Sequence, residues 1–151
     1  MPWLMKTEPE EYGLDDLRTA GTGRWDGVRN YAARNHMRAC QPGDRVLIYH
    51  SGKAPQIVGI AEIARAAYPD PAQFDPESAY YDPKSKPDDP RWVSVDLRYL
   101  SHLDEPVSLA TLKGDERFQD LAILRQSRLS VAPVAQEHYD LIVALGTRRD
   151  R

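Results

Sequence analysis

Apolar and polar positions along the chain mark out several short β-strands. The segment from Asp44 to His50 holds a short apolar run, Val46 to Tyr49, and follows the turn dipeptide Pro42-Gly43, which predicts a largely buried strand. Residues 92–100 alternate between apolar and polar side chains, as in a strand with one face in the core and one in solvent. Residues 2–5 and 57–63 are the other predicted strands.

Gly59 interrupts the strand predicted over residues 57–63. A glycine inside a strand often marks a β-bulge or a place where another backbone or a ligand comes close. We therefore expect an irregularity in the sheet at this residue.

Two segments carry apolar side chains at helical spacing. The side-chain oxygen of Asn30 can accept a hydrogen bond from a first-turn backbone N–H, which predicts a helix from Asn30 to about Cys40. Its apolar side consists of Ala33, Met37 and Cys40, and the opposite side is rich in tyrosine, asparagine and arginine. A second stripe before the stop signal Gly146 predicts a C-terminal helix packed on the core. It consists of His138, Leu141, Ile142 and Leu145.

Residues 68–90 contain half of the chain's 12 prolines and show no periodicity, so they are predicted to form a loop. Connections longer than about 12–15 residues in compact domains are usually functional lids or linkers. The adjacent tyrosines Tyr80 and Tyr81 need burial, which favours an ordered lid.

Together these elements predict an α+β fold, a small, partly closed β-barrel with short helices at its periphery. A chain of 151 residues fits one domain. With 41% hydrophobic and 28% charged residues the composition is that of a soluble globular protein, and no apolar run approaches the ~20 residues of a membrane span. The lone Cys40 and the absence of a secretory signal at the N-terminus favour a cytoplasmic protein without membrane contact.

Charge is segregated along the chain. The net charge of −3 argues against a domain that binds by neutralising many phosphates. Residues 24–45 are nevertheless basic, whereas residues 68–90 are acidic. A basic strip on an acidic body suits a short polyanion, although solvated surface charge explains the pattern equally well.

Common catalytic and cofactor patterns find little support. The four histidines His36, His50, His102 and His138 lie far apart and the single cysteine has no partner, so we expect no metal. No phosphate loop or dinucleotide fingerprint occurs, so we expect no cofactor. His50 and Ser51 are neighbours at a strand end and point to opposite faces, which suits backbone or ligand contacts better than a nucleophile and its base.

The densest group of ligand-binding side chains lies between Trp25 and Asn35. Trp25 stands in a predicted turn with Gly27, just before the helix whose exposed side bears Tyr31, amides and arginines. An aromatic ring stacks on an unpaired base for about 1–3 kcal/mol, amides read the polar edge of the base and arginines bind phosphates. Each side chain alone has a structural explanation, but their combination favours nucleic-acid binding.

A series of motifs extends over most of the chain. They are Trp3-Leu4-Met5-Lys6-Thr7-Glu8-Pro9, Trp25 to Asn35, Tyr49-His50-Ser51, Val58-Gly59-Ile60-Ala61-Glu62, Tyr80-Tyr81-Asp82-Pro83-Lys84-Ser85, Pro90-Arg91-Trp92 and Leu129-Ser130-Val131. With these motifs the chain resembles the EVE domain family of the PUA-like superfamily, whose members include small stand-alone bacterial proteins.

The resemblance implies a PUA-like barrel over residues 1–146, a tail over residues 147–151, and a pocket that takes a modified base out of its stack. Carried over by position, the pocket would consist of Lys6, Thr7, Trp25, Val28, Asn30, Tyr31, Tyr49, His50, Ser51 and Ser130. Arg29, Arg34, Arg38 and Lys84 would face the nucleic-acid backbone. Thr7 stands where the family commonly has serine, and its extra methyl group is expected to narrow the pocket at this wall.

The leading hypothesis is therefore a non-catalytic, monomeric module that binds nucleic acid carrying a modified cytosine or adenine, in DNA rather than RNA. The base would be flipped and stacked between Trp25 and a second ring, Tyr31 or Tyr49. One alternative is an amidohydrolase of the related ASCH type acting on a modified nucleoside, with Lys6 and Glu8 as acid–base groups. Another alternative is a protein-interaction module that uses the acidic loop.

Overall fold

A computed structural model of the protein describes residues 1–148. Six strands form one mixed sheet in the order β2-β5-β4-β3-β1-β6. They are β1 (Trp3–Thr7), β2 (Thr22–Trp25), β3 (Arg45–His50), β4 (Gln56–Pro69), β5 (Val93–Ser108) and β6 (Val131–Pro133). Strands β1 and β3 are parallel, and the other neighbours are antiparallel. Because β2 and β6 are the edges of the sheet, the barrel is open on one side, and the α+β class expected from the sequence is confirmed.

Short helices surround this sheet. They are α1 (Leu14–Ala20), α2 (Tyr31–Ala39), α3 (Leu109–Lys113), α4 (Ala122–Arg125) and α5 (Gln136–Gly146), with 3₁₀ turns at Pro71–Phe74 and Glu116–Phe118. The helix predicted after Asn30 is confirmed as α2, and the Asn30 side-chain oxygen accepts from the Ala33 N–H at 2.9 Å. None of the helices in residues 1–148 is long and apolar enough to cross a lipid bilayer.

The C-terminal helix α5 packs on the core through its buried residues His138 and Ile142. Leu145, predicted on the same stripe, is instead exposed. The predicted tail begins at residue 147, and residues 149–151 lie outside the described part of the chain.

Gly59 lies at an irregularity of the sheet, as its position in the sequence predicts. The pairing register shifts beside it in both neighbouring strands. A Cβ atom at this residue would lie 2.6 Å from the carbonyl oxygen of Ser101 and would also overlap the side chain of Leu14. Glycine is therefore required here because α1 and β5 both come close to the backbone.

The segment between β4 and β5, named here the β4–β5 loop (residues 70–92), is held by buried polar groups. The side-chain NH₂ of Gln73 donates to the carbonyls of Asp70 and Trp92. Its oxygen accepts from the Trp92 N–H and from the Ser85 hydroxyl. All hydrogen-bonding groups of this buried amide are thereby satisfied, so the loop has a defined path across the domain.

The expectation that Tyr80 and Tyr81 are buried is wrong. The two residues remain 36% and 42% exposed, respectively. The loop does not need their burial, because Asp70, Gln73 and Ser85 supply its buried contacts.

Candidate nucleic-acid interface

One large cleft of about 840 Å³ opens where several strands end. Its wall includes the end of β1 and the following turn, the end of β2, the residue after β3, and the β4–β5 loop. The lining residues are Lys6, Thr7, Glu8, Glu11, Tyr12, Arg24, Trp25, Asp26, Gly27, Val28, Arg29, Ser51, Ala79, Tyr80 and Ser130. We call this space the main cleft.

Trp25 lies against the inner wall of the main cleft. It is the last residue of β2 rather than part of a turn, and only 7% of its surface is exposed. The ring of Tyr12 packs edge-on against it, with centroids 6.1 Å apart and an interplanar angle of 85°. Although Trp25 belongs mainly to the core, it still lines the main cleft, where an aromatic face can contact a flat ligand.

Lys6 and Thr7 approach the main cleft from the end of β1. The ammonium group of Lys6 donates to the carbonyl of Ser127 at 2.9 Å, and burial lowers its pKa. The hydroxyl of Thr7 donates to the carbonyl of Tyr12 at 2.7 Å, while the backbone N–H of Ser51 donates to the Thr7 carbonyl. These contacts hold both side chains at the wall of the cleft.

Acidic side chains line the side of the main cleft near Tyr80. Glu8, Glu11 and Asp26 all line it. Burial raises the pKa of Asp26, and the negative charge of Asp70 adds to this increase although nearby arginines oppose it. Carboxylates are hydrogen-bond acceptors, so this side favours a ligand with N–H groups.

Tyr80 extends from the β4–β5 loop over the mouth of the main cleft. Its ring lies directly on the backbone of Gly27, where a Cβ atom would be 2.8 Å from the ring. Gly27 also has φ = +74°, a conformation that glycine adopts without strain. The Tyr80 hydroxyl donates to the carboxylate of Glu11 at 3.3 Å, so the side chain bridges two sides of the cleft.

Asp70 holds the turn beneath Tyr80 in place. Its carboxylate is fully buried and accepts from the N–H of Gly27 at 2.9 Å and from the guanidinium of Arg29 at 3.0 Å. Arg29 in turn donates to the carbonyl of Tyr80 at 2.7 Å. This guanidinium therefore joins the cleft wall to the loop, and its role as a phosphate contact stays a prediction.

The main cleft brings together part of the predicted pocket. The predicted residues that line it are Lys6, Thr7, Trp25, Val28, Ser51 and Ser130, together with Arg29. Sequence reasoning missed several cleft residues, among them Glu11, Tyr12, Arg24, Asp26 and Tyr80. Arg24 and Asp26 flank Trp25 directly in the sequence, and this adjacency was the available signal.

Asn30 and Tyr31 are not part of the main cleft, contrary to prediction. The side-chain oxygen of Asn30 accepts from the N–H of Ala33 as the cap of α2. Tyr31 is 52% exposed and stacks on Trp92, with centroids 4.9 Å apart. The guanidinium of Arg34 lies 4.8 Å from the Tyr31 ring centroid. Tyr31 is thus engaged with other side chains away from the cleft.

Tyr49 and His50 are also placed outside the main cleft. Tyr49 is buried, and the ammonium of Lys6 lies 5.4 Å from its ring centroid. The Nε2 atom of His50 accepts from the backbone N–H of Leu14 at 3.1 Å, at the start of α1. His50 therefore caps a helix rather than binding a ligand in the cleft.

The remaining predicted phosphate contacts lie apart from the main cleft. Arg34 donates to the carbonyl of Arg91 and to the side chain of Asn35. Arg38 and Lys84 are exposed and do not line the cleft.

Replacing His50 by glutamine is expected to reduce the loss of stability on acidification. Burial lowers the pKa of His50, because the folded protein favours the neutral ring that accepts from Leu14. A histidine whose pKa is lower in the folded than in the unfolded protein stabilises the fold at pH values above its unfolded pKa of about 6.5. This contribution is lost as the pH falls through the pKa of the folded state. Denaturant titrations at about pH 7.5 and about pH 5 should show a smaller drop in unfolding free energy for His50→Gln than for the wild type. Equal drops would contradict the capping role.

The geometry at Lys6 and Glu8 departs from the proposed acid–base pair. Strand β1 ends at Thr7, and the carbonyl of Glu8 accepts from the N–H groups of Glu11 and Tyr12 in a turn. Glu8 has therefore left the strand, as Pro9 and the following acidic residues indicate.

Among residues 1–148, no three His, Cys, Asp or Glu side chains are grouped so as to hold a metal ion.

Comparison with known proteins shows extensive similarity. A family model described as the EVE domain matches residues 2–145. Human thymocyte nuclear protein 1 is 36% identical over 163 residues, covering 95% of this chain and 72% of that protein. A crystal structure of a protein from Pseudomonas putida is 45% identical with a TM-score of 0.93, covering 97% of this chain and 99% of that chain.

Two further structures bear on the nature of the site. The crystal structure of the human THYN1 protein in complex with 5-methylcytosine containing DNA has a TM-score of 0.94 at 35% identity, covering 99% of both chains. A mutant ASCH protein from Zymomonas mobilis has a TM-score of 0.56 at 13% identity, covering 95% of this chain and 97% of that chain. The human structure confirms the PUA-like fold, whereas the ASCH protein shares the fold alone.

Proposed function

The chain belongs to the EVE domain family, and from this premise we propose that it binds DNA by accepting a modified base, such as 5-methylcytosine, in the main cleft. The main observation for this proposal is an open cleft lined by aromatic, apolar and carboxylate groups at the strand ends. The human relative bound to 5-methylcytosine containing DNA supports the same class of ligand.

Aromatic side chains in the main cleft supply the stacking energy. Trp25 at the inner wall and Tyr80 at the mouth both contribute ring surface to the cleft. Base–aromatic stacking is worth about 1–3 kcal/mol per base. Extracting a paired base costs a few kcal/mol, so stacking and polar contacts together can offset this cost.

The acidic side of the main cleft favours a base with an exocyclic amino group. Cytosine and adenine both carry such a donor, whereas thymine presents a carbonyl oxygen at the corresponding position of its ring. The carboxylates of Glu8, Glu11 and Asp26 can accept from the amino group, but they repel a carbonyl oxygen. This selects modified cytosine or adenine over thymine.

The 5-methyl group of a modified cytosine adds apolar surface that Val28 and Trp25 can cover. Both residues are largely buried and line the main cleft. Burial of one such carbon is worth about 0.8 kcal/mol, which corresponds to about a fourfold gain in affinity.

Titration with oligonucleotides that differ at one base tests this proposal. We expect single-stranded DNA with 5-methylcytosine to bind about fourfold more tightly than DNA with cytosine, and DNA with thymine to bind most weakly. Fluorescence anisotropy at fixed salt concentration measures these affinities. Equal affinity for the three oligonucleotides would rule out reading of the base in the main cleft.

We further propose that the protein is a non-catalytic reader. Lys6 is held by the carbonyl of Ser127, and Glu8 lies in a turn rather than beside Lys6 on the strand. The relatives at 35% identity or more include a DNA complex, whereas the ASCH likeness extends only to the fold. Incubation with acetylated nucleosides tests the alternative. Hydrolysis of these nucleosides by the wild type, and its loss in Lys6→Ala, would indicate an amidohydrolase instead.

A further inference from the structure

A second groove of about 430 Å³ adjoins the main cleft, and Arg24 lines both. It lies over the beginning of β2, the end of β4 and the first residues of β5. Its lining residues are Thr22, Gly23, Arg24, Arg65, Tyr68, Pro69, Pro71 and Asp96. We call it the side groove.

Three charged residues form a row across neighbouring strands in the side groove. Asp96 on β5 is paired in register with Arg24 on β2 and with Arg65 on β4. Both arginines are exposed. A carboxylate between two guanidinium groups leaves one positive charge in excess.

The Asp96 carboxylate accepts a hydrogen bond from the hydroxyl of Tyr68. Within residues 1–148, neither Arg24 nor Arg65 has a carboxylate oxygen within 4 Å of its guanidinium nitrogens. The neighbouring Arg98 on β5 differs, because it contacts Glu62 at 2.7 Å. The arginines of the side groove therefore retain N–H donors for a ligand.

The ring of Tyr68 positions Arg65. The centre of the Arg65 guanidinium lies 3.9 Å from the ring centroid, as in a close cation–π contact. Such a contact uses the face of the guanidinium and leaves the N–H groups at its edge available. A fixed, planar set of donors of this kind suits an oxyanion such as phosphate.

We propose that the side groove binds a phosphodiester group next to the base held in the main cleft. This inference rests on the proposed function, because it places the two sites on one strand of DNA. Arg24 belongs to both spaces, so a nucleotide in the cleft has its backbone within reach of the groove. The acidic residues Glu8 and Glu11 repel phosphate from the side near Tyr80, which directs the backbone toward Arg24.

The salt dependence of DNA binding tests the side groove. Arg65 is exposed and lines the side groove but not the main cleft, so Arg65→Ala should fold normally and leave the main cleft intact. Loss of one phosphate contact on single-stranded DNA should reduce the slope of log K against log salt concentration by about 0.7. Affinity should fall by a similar factor for 5-methylcytosine and cytosine oligonucleotides, because phosphates carry no base information.

Arg98→Ala is the matched control, since it removes the same charge from an exposed arginine that is already paired with Glu62. We expect its slope to stay near that of the wild type. An unchanged slope in Arg65→Ala, with the wild type still preferring 5-methylcytosine, would overturn the side groove and leave the proposed function intact. If the wild type bound the different oligonucleotides with equal affinity, the proposed function would be overturned, whatever the salt-dependence slopes of the variants.

Discussion

Replacing Asp70 by alanine is expected to lower the free energy of unfolding by about 3 kcal/mol. The buried carboxylate accepts from the N–H groups of Gly27 and Ala72 and from the guanidinium of Arg29. Removing one partner of a buried ion pair typically costs about 3–5 kcal/mol, and the partial exposure of Arg29 places this case at the lower end.

Urea titration of Asp70→Ala against the wild type measures this loss. Asp88→Ala serves as a control, because Asp88 is exposed in the same β4–β5 loop. We expect the midpoint of Asp88→Ala to remain within error of the wild type. If Asp70→Ala unfolded at the same urea concentration as Asp88→Ala, the buried carboxylate would not hold the loop.

Removal of the Tyr80 ring is expected to cause the largest loss of DNA binding at constant fold. Loss of one stacking contact worth about 1–3 kcal/mol lowers affinity by roughly 5-fold to 150-fold. The residue is exposed, its ring packs over Gly27 and beside Arg29, and its hydroxyl donates to the exposed side chain of Glu11, so Tyr80→Ala should leave stability almost unchanged. Titration with 5-methylcytosine oligonucleotides compares the variant with the wild type.

Two other tyrosines provide matched controls for this experiment. Tyr81 is the exposed neighbour of Tyr80, and Tyr31 stacks on Trp92 outside the main cleft. We expect Tyr81→Ala and Tyr31→Ala to keep the preference for 5-methylcytosine. A higher affinity of Tyr80→Ala for DNA would show that the ring obstructs the cleft instead of stacking on the base.

Signals within short segments of the sequence predicted several features of the fold. The cap of α2 involves Asn30 and Ala33, which are separated by three positions. The strand β3 follows a turn dipeptide and carries a continuous apolar run. Gly59 predicted a sheet irregularity because glycine is the residue that such a close approach requires.

Elements that depend on distant residues escaped prediction. The N-terminus of α1 is satisfied by His50, which belongs to β3. The short edge strand β2 is stabilised by pairing with β5. Its sequence, Thr-Gly-Arg-Trp, carries too few residues for a periodic pattern to show.

The candidate site was predicted only in part, again because some of its residues are distant from one another in the sequence. The motif around Trp25 was expected to act as one compact cluster, but the chain changes from strand to helix within it. Trp25 therefore lines the main cleft while Tyr31 lies on Trp92 elsewhere. The groups that complete the cleft, Glu11 and Tyr80, come from segments far apart in sequence and meet only in the folded chain.

Asp70 connects the turn at Gly27 with the beginning of the β4–β5 loop, and Gln73 connects that loop with Trp92. These contacts exist in the protein alone, so association does not incur the cost of about 0.5–1.5 kcal/mol for immobilising each flexible side chain there. With this part of the protein preorganised, the proposed binding mode requires the nucleotide to change shape as it leaves its stack. In that mode the conformational cost falls on the nucleic acid rather than on the protein.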